Sequence, residues 1–168
     1  EKLKQDNKIY WGPEGNNVPR LKVFPDEPKR VYVSSIIAEK GTAKSATVEV
    51  AKLLGYNVFS NPKPVELIQY LIDAARTEHG IVMDFFAGSG TTAHAVLAQN
   101  AVDGGDRSFI LVQSAEPPIL GRNASPEIKG VRSISDITRK RIIATFKLFG
   151  NDGKPELDLG MKVFQLST

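Results

Sequence analysis

GIVMDFFAGSGTTAHAV, residues 80–96, runs an apolar segment into a glycine-rich turn and then into alanines. The segment IVMDFF, 81–86, is apolar almost throughout, the pattern of a parallel strand covered on both faces. Gly88-x-Gly90-x-x-Ala93 satisfies G-x-G-x-x-G/A where a strand ends and a helix begins. Glycines there let the backbone turn tightly and approach a ligand, and the N–H groups of the new helix offer donors to an anion. A nucleotide, a dinucleotide or S-adenosylmethionine fits such a turn, and so does plain close packing with no ligand at all.

Downstream, the helix puts Ala93, Val96 and Leu97 on one side and turns His94 away from them, towards solvent. RSFILVQ, 107–113, reads as a second buried strand, so 81–113 is a βαβ unit of expected right-handed crossover. Three details bear on the ligand. A phosphate-cradling loop needs G-x-x-x-x-G-K-[ST]; only Thr91 and Thr92 follow Gly90, and GTAKS at 41–45 has Ala43 where the second glycine must be. That stretch reads as a turn into a helix. A dinucleotide fold wants an acid at the end of the second strand, where Gln113 stands, with Glu116 three residues on. Asp84, beside the glycines, would repel a pyrophosphate and attract an ammonium or sulfonium, unless it caps a nearby turn. The balance favours S-adenosylmethionine over NAD.

Upstream, residues 1–30 hold Pro13, Pro19, Pro25 and Pro28 with GPEGNN between, an extended, turn-rich arm that Tyr10 and Trp11 are expected to pin to the core. RVYVSSII, 30–37, has the β-branched content of a strand. SATVEVAKLLG, 45–55, predicts a helix with Val48, Ala51 and Leu54 on one face and Gly55 as its stop. In SNPKPVELIQYLIDAAR, 60–76, Pro64 suits the first helical position and Leu67, Ile68, Leu71, Ile72 and Ala75 form the buried face. EPPILGRNASPEIKG, 116–130, is a long irregular connection. SISDITRKRIIATFKLFG, 133–150, predicts a helix with Ser133 and Asp136 as capping pair and Ile134, Ile137, Ile142, Phe146 and Phe149 on its apolar half. RKR, 139–141, reads as a solvated basic face, and GMKVFQL, 160–166, as a closing strand.

The 168 residues are about one domain in length, with an ordinary hydrophobic fraction of 41%. No apolar run approaches a membrane span, and no charged-then-apolar leader is expected. With no cysteine, disulfides and cysteine-bound zinc are excluded and a cytoplasmic setting is favoured. His79 and His94 lie apart without acid pairs, so no metal site is expected. A net charge of +3 leaves the partner open.

DFFAGSGTTAHAV followed by RSFILVQ closely resembles the motif I and motif II region of bacterial DNA amino-methyltransferases, above all the modification subunits of type III restriction–modification systems. NPKPVELIQYLI resembles their motif X helix, and SISDITRKRI and GMKVFQL resemble segments further downstream. The likeness implies a class I S-adenosylmethionine-dependent methyltransferase fold, α/β and Rossmann-like with a mainly parallel sheet, incomplete in this chain. It divides the chain into an arm, 1–30, and a cofactor-binding part, 31–168, with motif X at 60–72, motif I at 81–97 and motif II at 107–116.

By that resemblance Asp84, Phe86, Gly88 and Gly90 stand at the motif I positions that wrap the methionine part of the cofactor, and Phe85, Ala87 and Ser89 between them are cofactor-binding residues too. Thr91 and Thr92 offer donors to its carboxylate, with Lys63 and Pro64 lying against the same end. Gln113 or Glu116 contacts the ribose; Phe85 and Phe86 read first as core, with one of them able to line the adenosine. The family methylates the exocyclic amine of adenine in DNA, using a D-P-P-Y-type tetrapeptide on a base taken out of the stack. Here only Glu116-Pro117-Pro118-Ile119 comes near; it has Glu for Asp, no aromatic, and sits too close to the second strand. It reads as a loop, so no catalytic residue is assigned and the chain alone is not expected to methylate DNA.

The implied partners are DNA, the amino-terminal catalytic and target-recognition part, a second modification subunit and a restriction subunit, with no membrane. Two other classes compete, a nicotinamide-binding oxidoreductase domain and a truncated methyltransferase that only assembles with other subunits. An incomplete sheet also predicts an uncovered edge and exposed apolar helix surface, and with them self-association or a marginally stable monomer.

Overall fold

The computed structural model describes residues 5–22, 24, 33–34, 36–118, 131–150 and 160–166. The chain divides into two compact units, Glu1–Ser35 and Ile36–Thr168. In the first, β1 (Ile9–Tyr10) pairs antiparallel with β2 (Arg20–Leu21), Ile9 opposite Leu21 and Tyr10 opposite Arg20. Asn17 N–H donates to Trp11 O at 2.9 Å and closes the turn between them. Tyr10 and Trp11 are both exposed, at 46% and 38%.

The second unit carries the site. Helix α1 (Ala43–Leu54) starts at Thr42, whose hydroxyl accepts the Ser45 N–H at 3.1 Å while Ser45 Oγ accepts the Thr42 N–H at 2.8 Å, a reciprocal cap. It stops at Gly55, φ +84°, a left-handed conformation that glycine adopts without penalty. Its buried residues are Ala46 and Val50; Val48, expected inside, is 62% exposed. Helix α2 (Val65–Ala74) follows Pro64, which serves as N-cap one position ahead of the expected place. Its inward face runs through Val65, Ile68 and Ile72, leaving Leu71 exposed.

The βαβ unit is present: β3 (Ile81–Asp84), α3 (Thr91–Asp103) and β4 (Ser108–Leu111), with the strands parallel and Ile81 opposite Ser108. Val82 and Phe109 face the helices and pack against Val65, Ile72, Ala95 and Val96. Each fully buried aliphatic side chain there contributes roughly 1.5–3 kcal/mol. The strand is not covered on both faces as its composition predicts. Ile81, Met83, Ile110 and Val112 stay between 42% and 67% exposed, and among the described residues this sheet has two strands. Uncovered apolar surface thus lies on the sheet as well as on the helices, where Val48, Leu71, Val102, Ile143 and Leu148 are exposed.

Helix α4 (Ile134–Gly150) begins with the expected pair: Asp136 Oδ2 accepts the Ser133 N–H and Ser133 Oγ accepts the Asp136 N–H. A second cluster joins Val50 of α1, Val58 and Ile137 of α4. The buried side of α4 is Ile137, Thr138, Arg141, Ile142 and Thr145, so Arg141 is not part of a solvated basic face. Residues 160–166 form no strand, and neither do the described members of 30–37; most of the 116–130 connection lies outside the described residues. Among the described residues, no helix is long and apolar enough to cross a membrane.

The end of α3 is locked to the start of β4 by side chains. Buried Asn100 donates to Arg107 O at 2.9 Å and accepts from Arg107 N–H at 3.2 Å. The Arg107 guanidinium forks onto Asp103 at 2.8 and 3.0 Å and holds that carboxyl well below the usual range. Asn100→Ala strands buried polar groups on Arg107, and we expect it to lower unfolding free energy by about 2–3 kcal/mol in urea titration.

Candidate cofactor-binding site

The site is the turn from β3 into α3. Asp84, the last residue of β3, is half-buried and uses both carboxylate oxygens inside the protein. Oδ1 accepts the Phe86 N–H at 2.9 Å and Oδ2 accepts the Thr92 hydroxyl at 2.6 Å. The carboxylate therefore ties the start of the turn to the first turn of α3. It is a turn cap with lone pairs remaining on both oxygens. Past it, Ala87 N–H donates to Val112 O at 3.1 Å and Gly88 N–H to the Gln113 side-chain oxygen at 2.7 Å. Gln113 thus braces the glycine turn from the end of β4.

Gly88 and Gly90 have φ of +54° and +81°, where a side chain is strained by roughly 1–2 kcal/mol. At Gly90 space is short as well, since an added Cβ lies 3.3 Å from the Thr138 carbonyl oxygen. The reason is α4, which lies directly against the turn. Thr138 donates its hydroxyl to Gly88 O at 2.6 Å. One helical turn further, the fully buried Arg141 donates through Nη1 to Ser89 Oγ at 2.8 Å and Thr91 Oγ1 at 2.9 Å. Thr91 in turn donates to Lys63 O at 3.3 Å, which joins the segment before α2 to the same cluster.

His94 is buried, contrary to expectation, and accepts from Arg141 Nη2 at 3.4 Å with its ring edge-on to Phe149. A guanidinium can only donate, so Nδ1 is unprotonated and the neutral ring carries its proton on Nε2. Burial first, and the Arg141 charge second, push its pKa down to about 4. Burial likewise brings Arg141 down to about 10, opposed by the charge of Glu49, so it stays protonated at neutral pH. Glu49 itself is raised by burial, with Arg141 and the Val65 N–H pulling the other way.

The expected site residues therefore divide. Asp84 to Thr92, Gln113 and the Lys63 backbone come together. The hydroxyls of Ser89, Thr91 and Thr92 point inward to protein partners, so what the turn presents is backbone. No side chain caps α3, and the N–H groups of Thr91, Thr92 and Ala93 find no acceptor among the described residues. Phe85 and Phe86 are not core: they stand 62% and 91% exposed. The side chains of Lys63 and Glu116 are exposed, Pro64 is buried, and Glu116 meets α4 through its carbonyl, which accepts the Ile134 N–H at 2.8 Å. Sequence reasoning missed Thr138, Arg141 and Phe59, whose ring lies 3.4 Å from where a Gly88 Cβ would sit. For the first two a signal existed, because Thr138, Arg141 and Thr145 recur at the spacing of one helix face.

Residues 1–116, and with them this turn, match the family model for DNA methylase, of the N6/N4 methyltransferase type. The chain belongs to that family. It is 36% identical to the Mod subunit of the type III restriction-modification enzyme StyLTI of Salmonella typhimurium, over 100% of this chain and 26% of that protein. It is 40% identical to the EcoPI Mod subunit of Escherichia phage P1, over 89% of this chain and 23% of that one. The type II methyltransferase M.KpnI of Klebsiella pneumoniae is 36% identical over 76% of this chain and 30% of its own length. The chain thus spans about a quarter of the length of the relatives it matches.

The buried His94 makes the fold sensitive to acid. Its folded pKa of about 4 lies below its unfolded value near 6.5, so the unfolded chain binds the proton more tightly. Its contribution is complete above about pH 6.5 and is lost as pH falls towards 4, on the order of 3 kcal/mol. Unfolding free energies measured across that range should fall for the native chain and change less for His94→Gln.

Proposed function

We propose that this chain is the S-adenosylmethionine-binding portion of a site-specific DNA adenine-N6 methyltransferase, the modification subunit of a type III restriction–modification system. The observation carrying this reading is the turn at 84–93, lying within the stretch that matches the DNA methylase family. It has two left-handed glycines, an uncapped helix N-terminus and a carboxylate at its start. These features suit a zwitterionic ligand. Free N–H groups of Thr91 to Ala93 suit a carboxylate, and Asp84 suits a cationic group. The exposed Phe86 ring offers an apolar surface beside them. When bound, S-adenosylmethionine supplies a methyl group activated by a sulfonium.

The residues here bind and orient; none is assigned to the transfer itself. Adenine must be turned out of the helix and its amino hydrogens accepted. Glu116-Pro117-Pro118-Ile119 lacks the family's aromatic residue, so on this reading methyl transfer needs a D-P-P-Y-type tetrapeptide that this sequence does not carry. Likeness to the Mod subunits extends the proposal to DNA and a restriction subunit as partners, to a second modification subunit, and to a cytoplasmic setting.

Calorimetric titration with S-adenosylmethionine, with NAD in parallel, tests the reading. We expect saturable binding of the methyl donor alone, and at least about tenfold weaker binding by Gly90→Ala, whose Cβ meets the Thr138 backbone. Binding of NAD alone overturns the assignment.

A further inference from the structure

We propose that Arg141 is a positioning residue, which holds Ser89 and Thr91 from beneath and so sets the backbone of the glycine turn for its ligand. This rests on reading that turn as a cofactor site. It extends that reading to a helix fifty residues downstream.

The guanidinium is 0% exposed, yet among the described residues no carboxylate lies within ion-pair distance of it. Among the described residues its hydrogen bonds go to one short segment: Ser89, Thr91 and His94. Its Nε has no hydrogen-bond partner among the described residues. Burying a cation in this way is unfavourable, and an apolar side chain of similar volume would often serve packing as well or better. Packing alone therefore does not explain an arginine here. What it does is fix two hydroxyls whose residues flank Gly90 in the sequence, while the N–H groups of Thr91 to Ala93 keep no acceptor among the described residues.

Thr138, three residues earlier on the same face, holds the opposite side of the turn by donating to Gly88 O. The α4 helix thus grips the turn at the carbonyl of one glycine and at the residues around the other. Thr91 passes the constraint to the Lys63 carbonyl, ahead of α2. Arg141 is charged at neutral pH, so its donors are permanently available.

The test compares Arg141→Met, which keeps volume and removes donors, Arg141→Lys, which keeps charge, and Thr138→Val. All are studied well below their melting temperatures. One readout needs no ligand: amide hydrogen exchange of the peptide covering 85–93, with 65–74 as internal reference. The other is S-adenosylmethionine affinity. We expect Arg141→Met to speed exchange over 85–93 by about tenfold or more against an unchanged reference, and to weaken binding comparably. Arg141→Lys should recover part of both, and Thr138→Val should loosen the same peptide.

If Arg141→Met lowers the melting temperature but leaves exchange at 85–93 and affinity within about twofold of native, the role is packing and the proposal falls. Should Arg141→Met not fold, Thr138→Val decides by the same readouts. If the native chain fails to bind S-adenosylmethionine, the cofactor reading falls. The exchange measurement still decides whether Arg141 sets the turn.

Discussion

An arginine side chain closed off from water costs several kcal/mol in lost hydration unless its surroundings restore most of it. At Arg141 the restoration comes from two hydroxyl oxygens, an imidazole nitrogen and the more distant charge of Glu49. The dependence is mutual. Ser89 and Thr91 are themselves buried and rely on the guanidinium as donor, and His94 is held in its neutral form beside it. The turn, the first residues of α3 and the middle of α4 are consequently one polar unit, set between two apolar clusters that join α2 to the sheet and α1 to α4.

Asp84 organises the other side of the same turn. With one oxygen on the Phe86 N–H and the other on the Thr92 hydroxyl, it fixes the angle at which the strand hands over to the helix. Gln113 adds a third brace from β4. Inward commitment of nearly every polar side chain leaves the helix N–H groups and an exposed aromatic ring as the outward chemistry. A site built from backbone donors selects by shape and by charge sign rather than by a particular hydroxyl or amide.

Much of this was legible in the sequence where one residue type has one physical meaning. Glycines after an apolar segment announced the turn, Gly55 announced a helix end, and Ser133 with Asp136 announced a helix start; each is where it was expected. Helix faces were harder. In α1 both Val48 and Val50 are apolar, and periodicity could not say which of two neighbouring stripes meets α4. The apolar strands IVMD and SFIL showed an affinity for cover without showing what supplies it, and one face is left open. Arg141 was concealed by its charge, since a basic triplet reads as surface. Only its register with Thr138 and Thr145 told otherwise.

Helix α3 has almost no solvent side: from Thr91 to Leu97 every residue is buried, as are Gln99 and Asn100. A surface helix accepts variation at the positions that rotate outward, which gives a rhythm of three or four residues to any record of tolerated change. Here that rhythm is absent through the first two turns. Small side chains such as Ala93 and Ala95, both at 0% exposure, have no room to grow, and the larger ones each meet a partner. Packing in this segment therefore leaves room only for near-isosteric exchanges, while Val102, 74% exposed on the last turn, has room for larger ones.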